Sequence, residues 1–377
     1  MDMIDVLTAA VKMGVSDIHV VPTKPVMVRK HGEMMPLPEY KDTVLSGDDT
    51  KTLIYGILLD DQKSKFEENF ELDCSFQIEN VSRFRVNVLM QKDGVGSVMR
   101  VISSDIPSPE ALAFTPAMME CMKYPRGLVL VTGPTGSGKS TTLAAMLNTI
   151  NGERKEHILT IEDPIEFVYK SKGCVFTQRE VGASTRSFTS ALRAALREDP
   201  DIVLVGEMRD LETIGAALTI AETGHLVFGT LHTTDAPQTV DRIIDVFPSH
   251  QQAQVRTQLS VTLKAVITQQ LLQTPDGKGR VAAREILIVT PAIANLIRDG
   301  KTHLIYGALE TGMKYGMISM DKALAQLVKA GKITKEAALI KAGNPEMLKQ
   351  YMTSASVGGG MSGGMPGGAS GAARRPF

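Results

Sequence analysis

The chain has 377 residues, of which 43% are hydrophobic and 22% are charged, and this length favours two domains, each with a core of its own. Its formal net charge is −1, which argues against a protein that binds nucleic acid. It has no run of 18 apolar residues and no C-x-x-C pair among its three cysteines, which predicts no direct membrane insertion and idle thiols in a reducing compartment.

Residues 1–103 are predicted to form a small α/β domain. The first five residues lack the basic start of a secretory signal, so we expect a cytoplasmic protein that reaches a membrane only through a partner. Residues 82–90 alternate with period two, and 97–102 are expected to pair with them as a hairpin. The other predicted elements are helices at 4–13, 51–59 and 62–70 and strands at 18–21 and 26–29.

Residues 104–117 contain the sequence Ile-Pro-Ser-Pro and are interpreted as a stiff interdomain linker. From 118 to 290, strands and helices alternate, and most strands are continuous apolar runs, which predicts a mostly parallel sheet covered on both faces. The predicted strands are 128–132, 157–161, 174–178, 201–205 and 226–230. Residues 291–353 are predicted to be helical, and the glycine-rich residues 354–377 are predicted to be a disordered tail.

A phosphate-binding loop is predicted at residues 133–141, between the strand at 128–132 and a helix. Its sequence matches G-x-x-x-x-G-K-[ST], and its small residues allow consecutive N–H groups to surround an anion at the start of the helix. We expect it to bind a nucleotide, with Lys139 on the β/γ-phosphates and the Ser140 hydroxyl on Mg²⁺. The expected nucleotide contacts are Gly133, Pro134, Thr135, Gly136, Ser137, Gly138, Lys139, Ser140 and Thr141.

Acidic residues follow two of the predicted strands. Glu162, Asp163 and Glu166 come after the strand at 157–161, at the edge where such sheets bind ligands. Either glutamate could orient the attacking water, and we favour Glu166 because Pro164 reverses the chain before it; Asp163 is a candidate metal or structural acid. Glu207 follows the strand at 201–205 after one glycine and is expected to coordinate Mg²⁺ through water.

Two histidines bracket the predicted strand at 226–230. His225 precedes it and His232 follows it. We expect this pair to sense the γ-phosphate or to bridge to a neighbouring subunit.

These segments, in this order and spacing, resemble the secretion ATPases, and within that superfamily the PilT-type retraction ATPases of type IV pili. The resemblance extends to G-V-S-D-I-H at 14–19, F-R-V-N at 84–87 and A-I-A-N-L-I-R at 292–298. In the last element, Ala294 stands where the family has its first arginine, which affects any retraction role of that side chain but not hydrolysis. The sequence also lacks the N-terminal extension and four-cysteine metal loop of pilus-extension ATPases, which favours retraction.

The resemblance implies a PAS-like N-terminal domain and a RecA-like ATPase domain, six subunits in a ring, and ATP bound between the two domains. It implies that Arg83, Arg85 and Arg100 reach the phosphates when the cleft closes. It also implies an inner-membrane pilus platform protein and a paralogous retraction ATPase as partners. The alternatives are a secretion or pilus-extension motor, an accessory ring subunit with weak hydrolysis and, more distantly, a metabolic kinase.

Overall fold

The computed structural model describes residues 1–30, 32–102 and 105–353 and has an α/β architecture built on two separate sheets. The predicted tail at 354–377 lies outside the described residues. Within the described ranges, no helix combines the length and the apolar character needed to cross a bilayer.

The N-terminal part contains a six-stranded antiparallel sheet with the strand order β3-β2-β1-β6-β5-β4. The predicted hairpin is confirmed, with Gln91 opposite Gly94 at its turn. The strands are β1 Asp17–Val20, β2 Met27–Lys30, β3 Glu33–Pro36, β4 Glu71–Ile78, β5 Ser82–Gln91 and β6 Gly94–Ile102. The helices are α1 Met3–Met13, α2 Gly47–Tyr55 and α3 Asp60–Asn69, and a short 3₁₀ helix spans Pro38–Tyr40.

The helices of this part pack on one face of its sheet. Helix α1 begins where the Asp2 carboxylate accepts the N–H of Ile4 and ends at Gly14 in the left-handed conformation. Its buried Val6 and Leu7 join a core with Phe84 of β5. Because side chains alternate along a strand, Arg83 and Arg85 lie on the opposite face of β5.

The second sheet has seven strands in the order β13-β12-β7-β11-β10-β8-β9. Only β13 runs antiparallel to its neighbour, so the predicted mostly parallel sheet is confirmed. The strands are β7 Gly127–Thr132, β8 His157–Glu162, β9 Val175–Glu180, β10 Ile202–Val205, β11 Leu226–Leu231, β12 Leu263–Gln273 and β13 Arg280–Ile288. The helices connected to them are α4 Pro116–Cys121, α5 Lys139–Glu153, α6 Phe188–Ala195, α7 Leu211–Glu222, α8 Ala236–Asp245 and α9 Ser249–Thr262.

Helices cover both faces of this sheet, as its continuous apolar strands predict. Leu128 and Leu130 of β7 pack in a core with α6 to α9, and Val129 and Val131 pack in a second core with α4 and α5. The predicted linker does not stand free, because Phe114 packs against that second core.

The C-terminal part is helical, as predicted, and Glu285 of β13 ties it to the sheet. This carboxylate accepts the N–H of Ala236 at 2.8 Å and that of Met320 at 3.3 Å, at the first residues of two helices. Burial raises the pKa of Glu285 to about 7, although both hydrogen bonds oppose that shift. The helices are α10 Pro291–Arg298, α11 Ile305–Thr311, α12 Met320–Lys329, α13 Lys335–Lys341 and α14 Pro345–Thr353, with 3₁₀ helices at Thr302–Leu304 and Met313–Tyr315.

Candidate active site

The carboxyl ends of four parallel strands meet at one edge of the seven-stranded sheet. Thr132 of β7 lies opposite Leu231 of β11, and Val205 of β10 lies opposite Ile161 of β8. The loops that follow these strands therefore start close together. This is the edge at which doubly wound sheets bind their ligands.

The predicted phosphate loop joins β7 to α5 at this edge. Gly133 has φ 138°, and a Cβ there would collide with the carbonyl oxygen of Gln269 and the Ser137 hydroxyl, so only glycine fits. Among the described residues, the buried Ser137 hydroxyl has no hydrogen-bond partner. A closely packed main chain with a free hydroxyl at a helix N-terminus fits an anionic phosphate.

Lys139 is the first residue of α5 and is only 9% exposed. Its Nζ donates to the carbonyl oxygens of Gly133 at 2.8 Å and Pro134 at 3.2 Å and lies 3.5 Å from His232 Nδ1. Burial holds the pKa of Lys139 below its usual value, and the carboxylates of Glu207 and Glu166 oppose the shift. The structure therefore brings this cation near two of the predicted acids.

Glu207 accepts hydrogen bonds from two side chains that face the loop. Its Oε1 lies 2.7 Å from His232 Nε2 and 2.5 Å from Arg209 Nε. Burial raises the pKa of Glu207, but these two partners outweigh it and hold the pKa below its usual value. The preceding Gly206 permits this position, because a Cβ there would lie 3.1 Å from the Ile161 carbonyl oxygen. His232 thus stands between Lys139 and Glu207.

The three predicted acids after β8 lie in different surroundings. Glu162 is 7% exposed and accepts the hydroxyl of Thr160 at 2.7 Å, while its Oε2 lies 3.4 Å from the N–H of Glu166. Burial raises the pKa of Glu162 to about 7, although the hydrogen bonds that it accepts lower the pKa. Glu166 and Asp163 are exposed, and Asp163 interacts electrostatically with Arg209.

The raised pKa of Glu162 predicts a pH-dependent stability. The folded state binds more protons than the unfolded state between the usual value of 4.5 and about 7, so the free energy of unfolding falls as pH rises through that range. We expect the Glu162→Gln variant to lack this contribution, which is at most about 3 kcal/mol. Urea unfolding of the nucleotide-free protein at about pH 5 and about pH 8 measures it. The exposed Glu153→Gln is the control, and equal pH dependence in all three proteins would contradict this assignment.

The prediction that places His225 at the γ-phosphate is wrong. His225 precedes β11, whose first residue, Leu226, lies opposite Gly127 at the start of β7. Since β11 is five residue steps long, His225 lies at the opposite edge of the sheet, roughly 17 Å from the phosphate loop. There its Nδ1 lies 3.0 Å from the carbonyl oxygen of Ile220.

The three candidate arginines share one face of the N-terminal sheet but differ in their partners. Arg83 Nη2 donates to Glu180 of the second sheet at 2.6 Å. Arg100 donates to Asp17 at 2.9 Å and lies opposite Arg85 across β5 and β6. Within the described part of the chain, Arg85 is exposed and forms no hydrogen bond or ion pair. In this conformation, two of the three arginines are therefore engaged by carboxylates.

Sequence analysis missed two buried residues behind the phosphate loop. Gln269 of β12 donates to the Ser137 carbonyl at 2.5 Å, and its Oε1 accepts from Thr142 at 2.8 Å and from Arg284 Nε at 2.9 Å. Arg284 of β13 also donates to the carbonyl of Leu112 in the linker at 2.8 Å. A continuous path of hydrogen bonds therefore runs from the linker to the loop. The only sequence signal is a pair of glutamines inside an apolar run.

Two cavities lie near the predicted site. One of 1090 Å³ is lined by Thr141 and Thr142 of α5, by the linker at 111–113 and by Arg284. The other, of 480 Å³, is lined by Glu207, Arg209 and His232. The larger cavity thus opens at the loop itself, and the smaller, charged one lies beside His232, which is 3.5 Å from Lys139.

Comparison with known proteins finds extensive similarity. Residues 2–299 match the family described as "Type II/IV secretion system protein". The chain is 52% identical over 350 residues to the "Type IV pilus retractation ATPase PilT" of Pseudomonas aeruginosa. This alignment covers 92% of this chain and 99% of that protein. It is also 52% identical over 324 residues to the "Twitching motility protein" of Neisseria gonorrhoeae, which covers 85% of each.

A solved structure supports the same fold. The structure entitled "Crystal Structure of the Pilus Retraction Motor PilT and Bound ADP" is 44% identical in sequence and superimposes with a TM-score of 0.87. The match covers 93% of this chain and 99% of that one. The similarity thus includes both sheets.

Proposed function

The chain belongs to the type II/IV secretion system protein family, and from this membership and the geometry of the site we propose that it is an ATP-hydrolysing motor that powers type IV pilus retraction. The observation that carries the proposal is the meeting of Lys139, His232 and Glu207 at one sheet edge, with Glu162 and Glu166 beside them. Phosphate transfer needs a cation on the phosphates and a carboxylate that orients water. This edge has both.

We propose the following roles at the phosphates. The loop at 133–141 binds the triphosphate, and Lys139 moves from the carbonyls of Gly133 and Pro134 to the phosphate oxygens. The Ser140 hydroxyl would hold Mg²⁺ directly, and Glu207 and Asp163 would hold it through water, a set of oxygen ligands that suits this ion. When bound, Mg²⁺ would neutralise charge on the phosphates. His232 keeps the Glu207 carboxylate in place.

The nucleoside is proposed to occupy the 1090 Å³ cavity, because that cavity opens beside Thr141 and Thr142 at the start of α5. The linker lines the same cavity, so a bound nucleotide would contact the segment that joins the two domains. Closure of the cleft would then bring Arg85, Arg100 and Arg83 toward the phosphates. Such cations stabilise charge that develops in the transition state.

We propose a homo-hexameric ring in which each subunit closes and opens in turn. The ring would act in the cytoplasm at the inner membrane, on the pilus platform protein, and with a paralogous retraction ATPase as a further partner. The support is the similarity to a retraction ATPase over 92% of the chain. A related motor for secretion or pilus extension and a weakly hydrolysing accessory ring are the alternatives that the tests must exclude.

Deletion of the gene tests the direction of transport. We expect cells that carry many pili but do not twitch, and restored twitching when the wild-type gene is returned. Cells without pili would instead identify an extension motor, and normal pili with a secretion defect would identify a secretion motor. Phosphate release by the purified protein with ATP and Mg²⁺ excludes the accessory-ring alternative if it shows steady turnover.

A further inference from the structure

Glu180, at the end of β9, binds both parts of the protein with one buried carboxylate. It is 4% exposed. From the N-terminal sheet, Oε2 accepts Arg83 Nη2 at 2.6 Å and Oε1 accepts the Ser75 hydroxyl at 2.5 Å. From the acidic loop, Oε2 accepts the N–H of Ile165 at 2.9 Å. A single side chain therefore joins the N-terminal sheet to the segment that carries the candidate catalytic acids.

The contact with Ile165 fixes the loop immediately before Glu166. Two successive N–H groups of that loop are held by two carboxylates, that of Ile165 by Glu180 and that of Glu166 by Glu162. The Ile165 side chain is itself buried, at 7% exposed. The direction of the exposed Glu166 side chain thus depends on where these two carboxylates lie.

Gln178, two residues before Glu180 in β9, binds a later part of the acidic loop and does not contact the N-terminal sheet in the described residues. Gln178 Oε1 accepts the N–H of Tyr169 at 2.9 Å, and its Nε2 donates to the carbonyl of Phe167 at 2.8 Å. Gln178 and Glu180 are two residues apart and so lie on the same face of the strand. Of this pair, Glu180 is the one that contacts the other sheet.

A buried carboxylate is stable only while its partners remain, since an unpaired charge away from water is costly. In the described residues, the ion pair at Glu180 is the one with Arg83. A movement of the N-terminal sheet must therefore either carry the Glu180 carboxylate along or leave it with fewer donors. In the first case the geometry of the hydrogen bond to Ile165 changes, and in the second the N–H of Ile165 is left as the remaining donor to the buried charge.

We propose that Glu180 is a positioning residue that couples the placement of the N-terminal sheet to the orientation of Glu166. This proposal rests on the function proposed above, in which Glu166 orients the attacking water. Closure of the cleft would then have two effects. It would bring arginines to the phosphates, and it would also orient the loop that carries Glu166. Hydrolysis would be fast only in subunits whose N-terminal sheet has the correct placement.

Kinetics of the full-length Glu180→Gln variant test the proposal. We expect kcat to fall by about 10- to 100-fold, the range that a small misplacement of a catalytic group produces, with KM for ATP nearly unchanged. Ser75→Ala removes the hydrogen bond to Glu180 and an acceptor of Arg83 Nη2, and it is expected to lower kcat by a few-fold. Ser75→Ala also tests the proposal on its own if the Glu180→Gln variant fails to fold. The matched control is Glu198→Gln, which breaks the 2.6 Å ion pair of the adjacent Arg179 without touching the acidic loop.

A double-mutant cycle separates positioning from a merely structural role. If Glu180 acts through Glu166, Glu180→Gln will cost little further activity in a Glu166→Gln background, measured in single-turnover reactions. Additive losses, or a kcat for Glu180→Gln and Ser75→Ala equal to that of Glu198→Gln, would overturn the coupling. An absence of turnover in the wild-type protein would instead overturn the proposed function, so the two failures are distinguishable.

Discussion

The Lys139→Ala variant is expected to lose ATP hydrolysis, with kcat reduced by at least about 10²- to 10³-fold, the cost of removing one group that stabilises transition-state charge. The physical reason lies in the position of the ammonium group. It is buried at the N-terminus of α5, within 3.5 Å of His232, and donates to two carbonyl oxygens of the proposed phosphate loop. Within the described residues, Lys278 and Lys332 line the larger of the two cavities and no lysine lines the smaller one, so Lys139 is the lysine held by the loop itself.

The measurement is steady-state phosphate release together with thermal unfolding. We expect the variant to melt close to the wild-type temperature, because burial already disfavours the charged form of Lys139. Without Lys139, the Glu207 carboxylate still has His232 and Arg209 as partners. Lys155→Ala is the control, since that lysine is exposed just after α5. Wild-type turnover in the Lys139 variant would remove the assignment of this loop to the triphosphate.

Local patterns were sufficient to predict most of the ATPase sheet. Each of the five predicted strands matches an observed one within two residues, because continuous apolar runs bounded by turns carry the signal of a buried parallel strand. The hairpin β12–β13 was not predicted. Lys264, Thr268 and Gln269 interrupt its apolar pattern, and the strand continues through them because β12 pairs with β7 on one side and with β13 on the other.

The partners of the candidate residues could not be predicted, because they depend on distant parts of the chain. Arg83 and Glu180 are 97 residues apart, and Gln269 lies 132 residues from Ser137. The error at His225 has a different cause. The sequence already places His225 before the strand, and ligands bind where parallel strands end, so strand direction places His225 at the far edge.

Two paths connect the N-terminal part to the proposed site, and they end on different chemical groups. The path through Arg284 and Gln269 runs from the linker to the phosphate loop, where we expect it to influence nucleotide binding. The path through Glu180 runs from the N-terminal sheet to the acidic loop, where we expect it to influence the proposed attacking water. Since the two paths share no residue, binding and hydrolysis could respond to domain placement separately.

Glutamine replacements are expected to separate the roles of Glu166 and Glu162. Glu166 is exposed, and its charge reaches Lys139, so it can approach a water beside the γ-phosphate. Glu162 is buried, and its oxygens are occupied by Thr160 and the N–H of Glu166. We therefore expect Glu166→Gln to lower kcat by about 10²- to 10⁴-fold, the usual contribution of a general base, while ATP affinity persists.

For Glu162→Gln we expect a smaller loss of kcat, because glutamine retains one acceptor for the N–H of Glu166 or for Thr160 but not the full set of hydrogen bonds. The measurements are single-turnover hydrolysis and binding of a fluorescent ATP analogue with Mg²⁺. The exposed Glu153→Gln serves as the control for a charge change near α5. If Glu162→Gln instead loses more activity than Glu166→Gln at equal affinity, the buried acid is the base. Its pKa of about 7 would then make the rate rise with pH through neutrality.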